Sequence, residues 1–426
     1  MVDIKYIREN KEAVKTTAIN KLINVDIDRL LFLDKEIVNI MQNSDKLKKE
    51  RNDLSAKIPS MQTEEKVKTI EYVKKLKEQI SEIETNLESL KKEYTELMYL
   101  VPTVPSSCTP IGKTDEENVE IRRVGEIPTF NFELKDHVEL AENLDMLDTK
   151  RAVKFAGSRT YFLKNDALLL EMALSRYVID KLINKGFTPM SVPLLVKKEA
   201  MYGTSYFPSG IEQTYAVTED DLYLVGTSEV SLVSYHSDET FKNINELPKM
   251  YCGLSSCFRR EAGTYGKDTR GLYRVHQFTK IEQVIMCEAD LEKQEKLHDF
   301  LLNNAEEILQ DLKIPYRVVK VCTGDMGTGQ YRKHDIEAWM PSRNKYSETH
   351  SCSSFNDFQA RRSNIKYKDK NGETKYCFTL NNTAIASPRI LIPILELYQN
   401  EDGSINVPEV LIPYMGKTKI EVKNND

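Results

Sequence analysis

The sequence predicts an α+β protein in two parts. An antiparallel helical hairpin comes first, followed by a larger domain with a central antiparallel sheet flanked by helices. Three observations carry this. Through residue 100 there is one Pro and no Gly, while apolar residues step by three and four. Val101-Pro102-Thr103-Val104-Pro105 then opens a Pro-bearing linker that reaches Gly112, the sharpest change of composition in the chain. Beyond about residue 118, short alternating runs follow one another through hairpin-like loops, the habit of antiparallel sheets. These features divide the chain into 1–105, with the hairpin over about 28–98, and 106–426.

Taking the elements in order, residues 4–23 are expected to form a helix at the base of the hairpin. Leu30, Leu33, Ile37, Ile40, Ser44, Leu47, Arg51, Leu54 and Ile58 make one seam. Val73, Leu76, Ile80, Ile83, Leu87, Leu90, Tyr94 and Leu97 make the other. Both are heptad stripes with Lys and Glu outside, broken at Pro59-Ser60. A short connection forces the limbs antiparallel, each roughly 45–50 Å long at the helical rise. Heptads alone most often mean a dimerisation or spacer coiled coil. Charge points elsewhere: the distal half carries Lys46, Lys48, Lys49, Arg51, Lys57, Lys66, Lys68, Lys74, Lys75 and Lys77 against five acids. A basic end on a long arm suits the phosphate backbone of a structured RNA, read by shape.

In the second part, 167–186 reads as a helix closed by Gly186, and 187–196 as an extended, Pro-punctuated segment. Alternating runs lie at 221–225 and 248–260, and a longer one at 272–287. An acidic helix is expected over 290–312, strands over 316–322, 337–341 and 376–380, and a last helix through the 390s.

Composition excludes several classes of function. Of 426 residues, 40% are hydrophobic and 30% charged, too apolar for a disordered chain. The net charge is −6, so a polyanion must be met by a local patch. The best apolar run, 167–174, is short and contains Glu171, so no membrane span is expected. The start, MVDIKYIREN, has no apolar signal core. Seven scattered Cys without CxxC spacing, and only six His, argue against disulfides and zinc and for a cytoplasmic protein.

No phosphate loop is present. Leu411 stands where a Walker motif before Gly416-Lys417-Thr418 needs its first Gly, and the glycines at 263–266 and 324–329 have the wrong spacing. A nucleotide would therefore be held by side chains on the sheet. Period two places Arg274, His276, Phe278, Lys280 and Glu282 on one side of the 272–287 strand, with Val275, Gln277, Thr279 and Ile281 on the other. Arg259 and Glu261 share a face on the preceding run. A solvated face is the ordinary meaning of such alternation. Two Arg, an aromatic plane and two carboxylates together instead suggest an aromatic, phosphate-bearing ligand.

The run FRREAGTYGKDTRGLYRVHQFTKIEQ (258–283) resembles motif 2 of the class II aminoacyl-tRNA synthetases in its seryl form. FTPMSVPLLV, around Pro193, resembles motif 1, a dimer-interface element. GTSEV (226–230) is similar to the family's serine-binding strand. ETHSC (348–352), followed by FQARR, resembles its metal and ATP segment, and LNNTAIASPRILIPILE (380–396) its motif 3. The hairpin resembles the arm with which seryl-tRNA synthetases grip the long variable arm of their tRNA.

The resemblance implies a homodimer that activates L-serine with ATP and Mg²⁺, without zinc, and charges tRNA(Ser), with tRNA(Sec) open as a second substrate. Arg259 would bridge the serine carboxylate and α-phosphate, Arg274 the outer phosphates, and Arg389 the adenine and γ-phosphate. Phe278 and Arg389 would sandwich the adenine. Glu348 and Ser351 would hold the metal and Glu261 the nucleotide. Arg260, Val275, Thr349 and His350 fall in the same nucleotide set. Thr227, Ser228, Glu229, Glu282, Asn381 and Thr383 would form the serine pocket. Pro193 marks the dimer face. Two departures stand out: Leu397 where the family commonly has Asn, and Pro393 inside the motif 3 helix, where a lost hydrogen bond and a bend are expected. The competing readings are a paralogue that loads seryl-adenylate onto a carrier protein or serves antibiotic tolerance, and a non-catalytic RNA-binding adaptor.

Overall fold

A computed structural model describes residues 1–263, 266, 268 and 270–421. The chain separates into two compact units, one of Val2–Pro102 and one of Thr103–Asp426 together with Met1.

The first unit is helical. Helices α1 (Ile4–Glu9) and α2 (Lys11–Asn20) replace the single helix expected over 4–23. Asn10, with φ −124° and ψ 38°, breaks the line, and its amide caps α1 by donating to the Tyr6 carbonyl. Helices α3 (Ile27–Lys57) and α4 (Thr63–Leu100) form the hairpin, turning through a short 3₁₀ segment at Ile58–Ser60. The Asp26 carboxylate caps α3 by accepting from the Arg29 amide. Leu30, Leu33, Ser44, Val73, Leu76 and Ile80 are buried, and the remaining seam residues are half-buried, so both heptad stripes face inward. A two-pronged bond from Arg29 to Glu93, 2.7 Å on each arm, ties the roots of the limbs. The limbs are unequal: 38 residues make α4 about 57 Å long, longer than expected.

The second unit is built on an eight-stranded sheet. Its strands are β1 (Val119–Val124), β2 (Thr188–Ser191), β3 (Lys249–Phe258), β4 (Gln277–Cys287), β5 (Tyr316–Lys320), β6 (Arg332–Met340), β7 (Lys345–Ser354) and β8 (Phe378–Ser387). They lie in the order β1-β5-β6-β7-β8-β4-β3-β2. All pairs are antiparallel except β2 with β3. Helices α5 (His137–Asn143), α6 (Thr149–Ala156), α7 (Asp166–Asn184), α8 (Lys198–Gly203), α9 (Glu229–Ser234), α10 (Leu291–Asp311), α11 (Phe358–Ser363) and α12 (Leu391–Leu397) accompany the sheet. One large apolar cluster joins α7, α10 and α12 to the sheet through Leu174, Val178, Leu301, Ile308, Ile285 and Ile394.

Helix α7 ends as its Gly predicts. Gly186 has φ +90°, and the amides of Gly186 and Phe187 donate back to Ile183 and Leu182. The expected cost of Pro393 does not arise. It is the third residue of α12, in the first turn, where a backbone N–H has no intrahelical acceptor. Three strands are longer or begin elsewhere than expected. β6 and β8 run to nine and ten residues, and β4 starts at Gln277, leaving 272–276 irregular.

Two register shifts place the site. Ile281 faces Ile385 but Glu282 faces Thr383, so Ala384 is an extra residue in β8. Ile336 faces His350 but Glu337 faces Glu348, so Thr349 is an extra residue in β7. Each bulge reverses the alternation beyond it.

Candidate active site

The floor of the site is the shared face of β3 and β4. Phe278, Lys280 and Glu282 stand opposite Cys257, Ser255 and Gly253. The pairing continues one step past the strands: the Arg259 amide donates to the His276 carbonyl, and the His276 ring meets the Arg259 carbonyl at 3.0 Å. That extension sets the Arg259 guanidinium over the Phe278 ring, 5.2 Å from its centroid. Burial opposes the Arg259 charge, but Tyr206, Cys257, Glu261 and Glu348 around it outweigh that and raise its pKa.

Arg274 and Glu261 lie in the loop between the strands rather than on them. Arg274 donates to Glu261 at 2.7 Å and stands 3.8 Å from Asp268, which also accepts from Arg343 at 2.5 Å. Thr264, Tyr265, Lys267 and Thr269 of this polar loop lie outside the described residues. The Tyr273 ring packs against two guanidinium groups, Arg343 at 4.0 Å and Arg389 at 4.3 Å from its centroid. Arg389 also donates to the carbonyls of Tyr273 and Glu348, both at 3.1 Å.

The bulge at Thr349 matters here. Asp335 faces Ser351 and Glu337 faces Glu348. Because Asp335 and Glu337 share a face, Glu348 and Ser351 do too, although an odd spacing would otherwise part them. Desolvation pulls the Glu348 carboxyl up, but Arg389, Lys333, Arg259 and Arg274 outweigh it and hold it below the usual range. Asp335 is buried and pushed up to about 7 by desolvation, against the pull of Lys333. One Asp335 oxygen has no hydrogen-bond partner, and the other is 3.1 Å from Lys333. An ionised Glu348 and the Ser351 hydroxyl, on one face beside Asp335, offer oxygen donors of the kind that Mg²⁺ takes. Among the described residues, no group of three or more His, Cys, Asp or Glu could hold a metal.

The second pocket lies at the Glu282 end of the floor. Thr227, Ser228 and Glu229 were expected on a strand but form a turn entering α9. Gly253 admits this turn: a side-chain carbon there would stand 2.7 Å from Ser228 Oγ. Ser228 is spent on the Gly253 carbonyl at 3.1 Å. The bulge at Ala384 turns Thr383 to Glu282, so that Thr227 and Thr383 both donate to the Glu282 carboxylate at 3.4 Å. Lys280 is ion-paired with the same carboxylate, and both side chains are buried. Glu229 accepts from Gln359 at 2.7 Å and Tyr206 at 3.3 Å. Desolvation, then the nearby Glu282, push its carboxyl up to about 7. Asn381 is buried on β8, two residues from Thr383.

Other expected residues sit differently. The exposed Arg260 turns to the Glu212 carbonyl. Val275 is buried, Thr349 donates to the Ile336 carbonyl, and His350 contacts the Ala384 carbonyl at 3.2 Å. Burial lowers the His350 pKa to about 4, leaving it neutral. These side chains are engaged within the fold. Pro193 is exposed between β2 and the next short strand, its carbonyl accepting from Ser231. On the arm, Lys46, Lys49, Lys57, Lys66, Lys74, Lys75 and Lys77 are exposed. Lys48 pairs with Glu84 at 2.8 Å, Lys68 with Glu64 at 3.3 Å, and Arg51 bonds Asn52. Sequence reasoning missed Tyr206, Tyr273, Arg343, Lys333 and Gln359; only Tyr273 and Gln359 lay inside quoted motifs.

Comparison with known proteins agrees with this geometry. Residues 1–105 match the family model for the seryl-tRNA synthetase N-terminal domain. Residues 214–398 match that for the class II tRNA synthetase core domain (G, H, P, S and T). A serine–tRNA ligase of Deinococcus radiodurans is 43% identical, covering 99% of both chains. The crystal structure of seryl-tRNA synthetase from Pyrococcus horikoshii complexed with ATP superposes with a TM-score of 0.90 at 37% identity, covering all of both chains. The cytoplasmic serine–tRNA ligase of Naegleria fowleri in complex with AMP gives 0.85 at 32% identity, covering 100% of this chain and 99% of that one. With both halves matched and the identity sustained from end to end, the chain belongs to the seryl-tRNA synthetase family of class II.

Proposed function

We propose that the chain is a serine–tRNA ligase that joins L-serine to ATP on the face of β3 and β4 and then passes the seryl group to tRNA(Ser). The observation that carries this is the position of Arg259, which lies over Phe278 and donates to the Gly226 carbonyl beside Thr227, between two groups of residues. On one side lie the Phe278 ring and the cationic loop; on the other lie Glu282, Glu229, Thr227 and Thr383. In the first step a serine carboxylate oxygen attacks the α-phosphorus, and the bond to the β-phosphate breaks to release pyrophosphate. In the second, the terminal tRNA hydroxyl attacks the seryl carbonyl and AMP leaves. Neither step needs a protein nucleophile. Both need fixed cations where charge builds.

Arg259 serves both substrates, neutralising the serine carboxylate and the α-phosphate between which the bond forms. Arg274 takes the outer phosphates, and Arg389 the γ-phosphate and one side of the adenine. Phe278 supports the ring from the other side, with Glu261 holding the nucleotide. Arg260, Val275, Thr349 and His350 border it mainly through backbone. Glu348 and Ser351 would hold Mg²⁺, which supplies positive charge to the phosphates; no zinc is invoked. Glu282 and Glu229 receive the ammonium, and Thr383, with Asn381 nearby, meets the hydroxyl. A pocket built to bond an OH leaves buried polar groups unpaired when alanine enters, and so rejects it.

Residues 1–105 form the tRNA arm in this reading, and the remainder the catalytic domain. The exposed bases of α3 and α4 face RNA phosphates, with tRNA(Sec) a second candidate. Exposed Leu168, Leu169 and Met172 on α7, with the region of Pro193, suit a homodimer interface in a cytoplasmic enzyme. No described helix is long and apolar enough to cross a membrane. A match to the tRNA synthetase N-terminal domain favours tRNA over a carrier protein as acceptor. ATP–pyrophosphate exchange across all amino acids, with and without bulk tRNA, tests the proposal. Exchange stimulated by serine alone is expected, and no exchange with serine refutes it.

A further inference from the structure

We propose that Gln359 is a positioning residue for serine recognition, holding the Glu229 carboxylate in the orientation that receives the substrate ammonium. The inference rests on the reading of the Glu229–Glu282 pocket as the serine site. Gln359 lies on α11, outside the floor, and is 1% exposed. Its amide is fixed at both ends. Thr379 of β8 donates its hydroxyl to the Gln359 Oε1 at 2.6 Å, so the amide nitrogen must point the other way. There it donates to Glu229 Oε1 at 2.7 Å and to the Thr204 carbonyl at 3.4 Å. A flipped amide would set oxygen against oxygen at both contacts.

The rest of the surroundings explain why a neutral donor stands here. From β4, Glu282 and Lys280 face Glu229, the first opposing its ionisation and the second favouring it. From the loop before residue 208, Tyr206 donates to the other carboxylate oxygen. From its own turn, the Thr227 hydroxyl accepts from the Glu229 amide. With both glutamates ionised, the group carries one net negative charge, which one substrate ammonium cancels. A Lys or Arg at 359 would fix the carboxylate equally well but would cancel that charge before serine arrived. Gln orients without neutralising. The same helix also sets the opposite wall: Arg362 donates to the carbonyls of Tyr202 at 2.9 Å and Phe207 at 3.4 Å, on either side of Tyr206.

The test is serine-dependent ATP–pyrophosphate exchange by the full-length protein over a range of pH, with Gln359→Met and Gln359→Glu. Loss of a hydrogen bond to a charged group should raise the serine KM roughly ten-fold or more, with the ATP KM within about two-fold of wild type. The pH at which the serine KM improves should also move upward in both variants, because the donor favouring the ionised carboxylate is gone. A merely structural glutamine would not move that pH profile. Equal rises in both KM values, an unmoved pH profile, or insolubility of both variants would overturn the proposal. Wild-type protein without serine-dependent exchange would instead remove the reading of the pocket itself.

Discussion

Serine binding should depend on pH through Glu229. The group is pushed up to about 7 by desolvation and by Glu282, so near neutrality it is divided between two forms. Only the ionised form attracts an ammonium, and the serine amine itself stays protonated well above this range. The sign follows: raising the pH ionises Glu229 and strengthens serine binding. For a midpoint of about 7, roughly one-tenth of the protein is competent at about pH 6 and nine-tenths at about pH 8. Apparent affinity scales with the competent fraction, so the serine KM should fall about ten-fold across that interval. The assay is pyrophosphate exchange at saturating ATP with serine titrated at each pH, and ATP titrated at saturating serine as the control. Glu229→Gln should show a high serine KM that no longer varies. A wild-type serine KM that stays flat, or that rises with pH, would refute the assignment of Glu229 to the ammonium.

Three further outcomes are expected. Glu282→Gln should raise the serine KM far more than the ATP KM in the same exchange assay; Gln keeps an oxygen to accept from the buried Lys280 ammonium, which Ala would not. Removing residues 28–97 should leave exchange intact and abolish tRNA charging, measured with radiolabelled serine, and loss of exchange would deny the arm a purely RNA-gripping role. Charging should weaken steeply with salt, and Lys74→Ala/Lys75→Ala/Lys77→Ala should flatten the log–log slope by roughly 0.7–0.9 per lost phosphate contact.

The parts of this protein visible in its sequence are those where one period runs unbroken. Heptads placed both limbs of the hairpin, because burial there follows a single stripe from Leu30 to Ile58 and from Val73 to Leu97. Simple alternation put Phe278, Lys280 and Glu282 together for the same reason. What escaped was irregular. Strand β7 reads Lys-Tyr-Ser-Glu-Thr-His-Ser-Cys-Ser-Ser and lies inside the sheet, so its polar composition hides a central strand. Strand β1 is an exposed sheet edge and has no apolar face to announce it. Helices α5 and α6 are short, yet each starts at an Asp that accepts from the first turn, Asp136 and Asp148, a signal that could have revealed them. Tyr206 and Gln359 reach Glu229 from separate segments, a convergence that spacing along the chain cannot express.

The extra residues at Thr349 and Ala384 give segment length a meaning independent of residue identity. Each works like a half-step dislocation in a woven fabric: shorten either strand by one, and every thread beyond the fault shows its reverse side. Glu348 would then leave the company of Ser351, or Thr383 that of Glu282, with no functional letter of the text altered. When descendants of this chain are compared, a one-residue gap in either stretch is therefore a graver edit than most replacements, and the place to look first for a copy that has lost its trade.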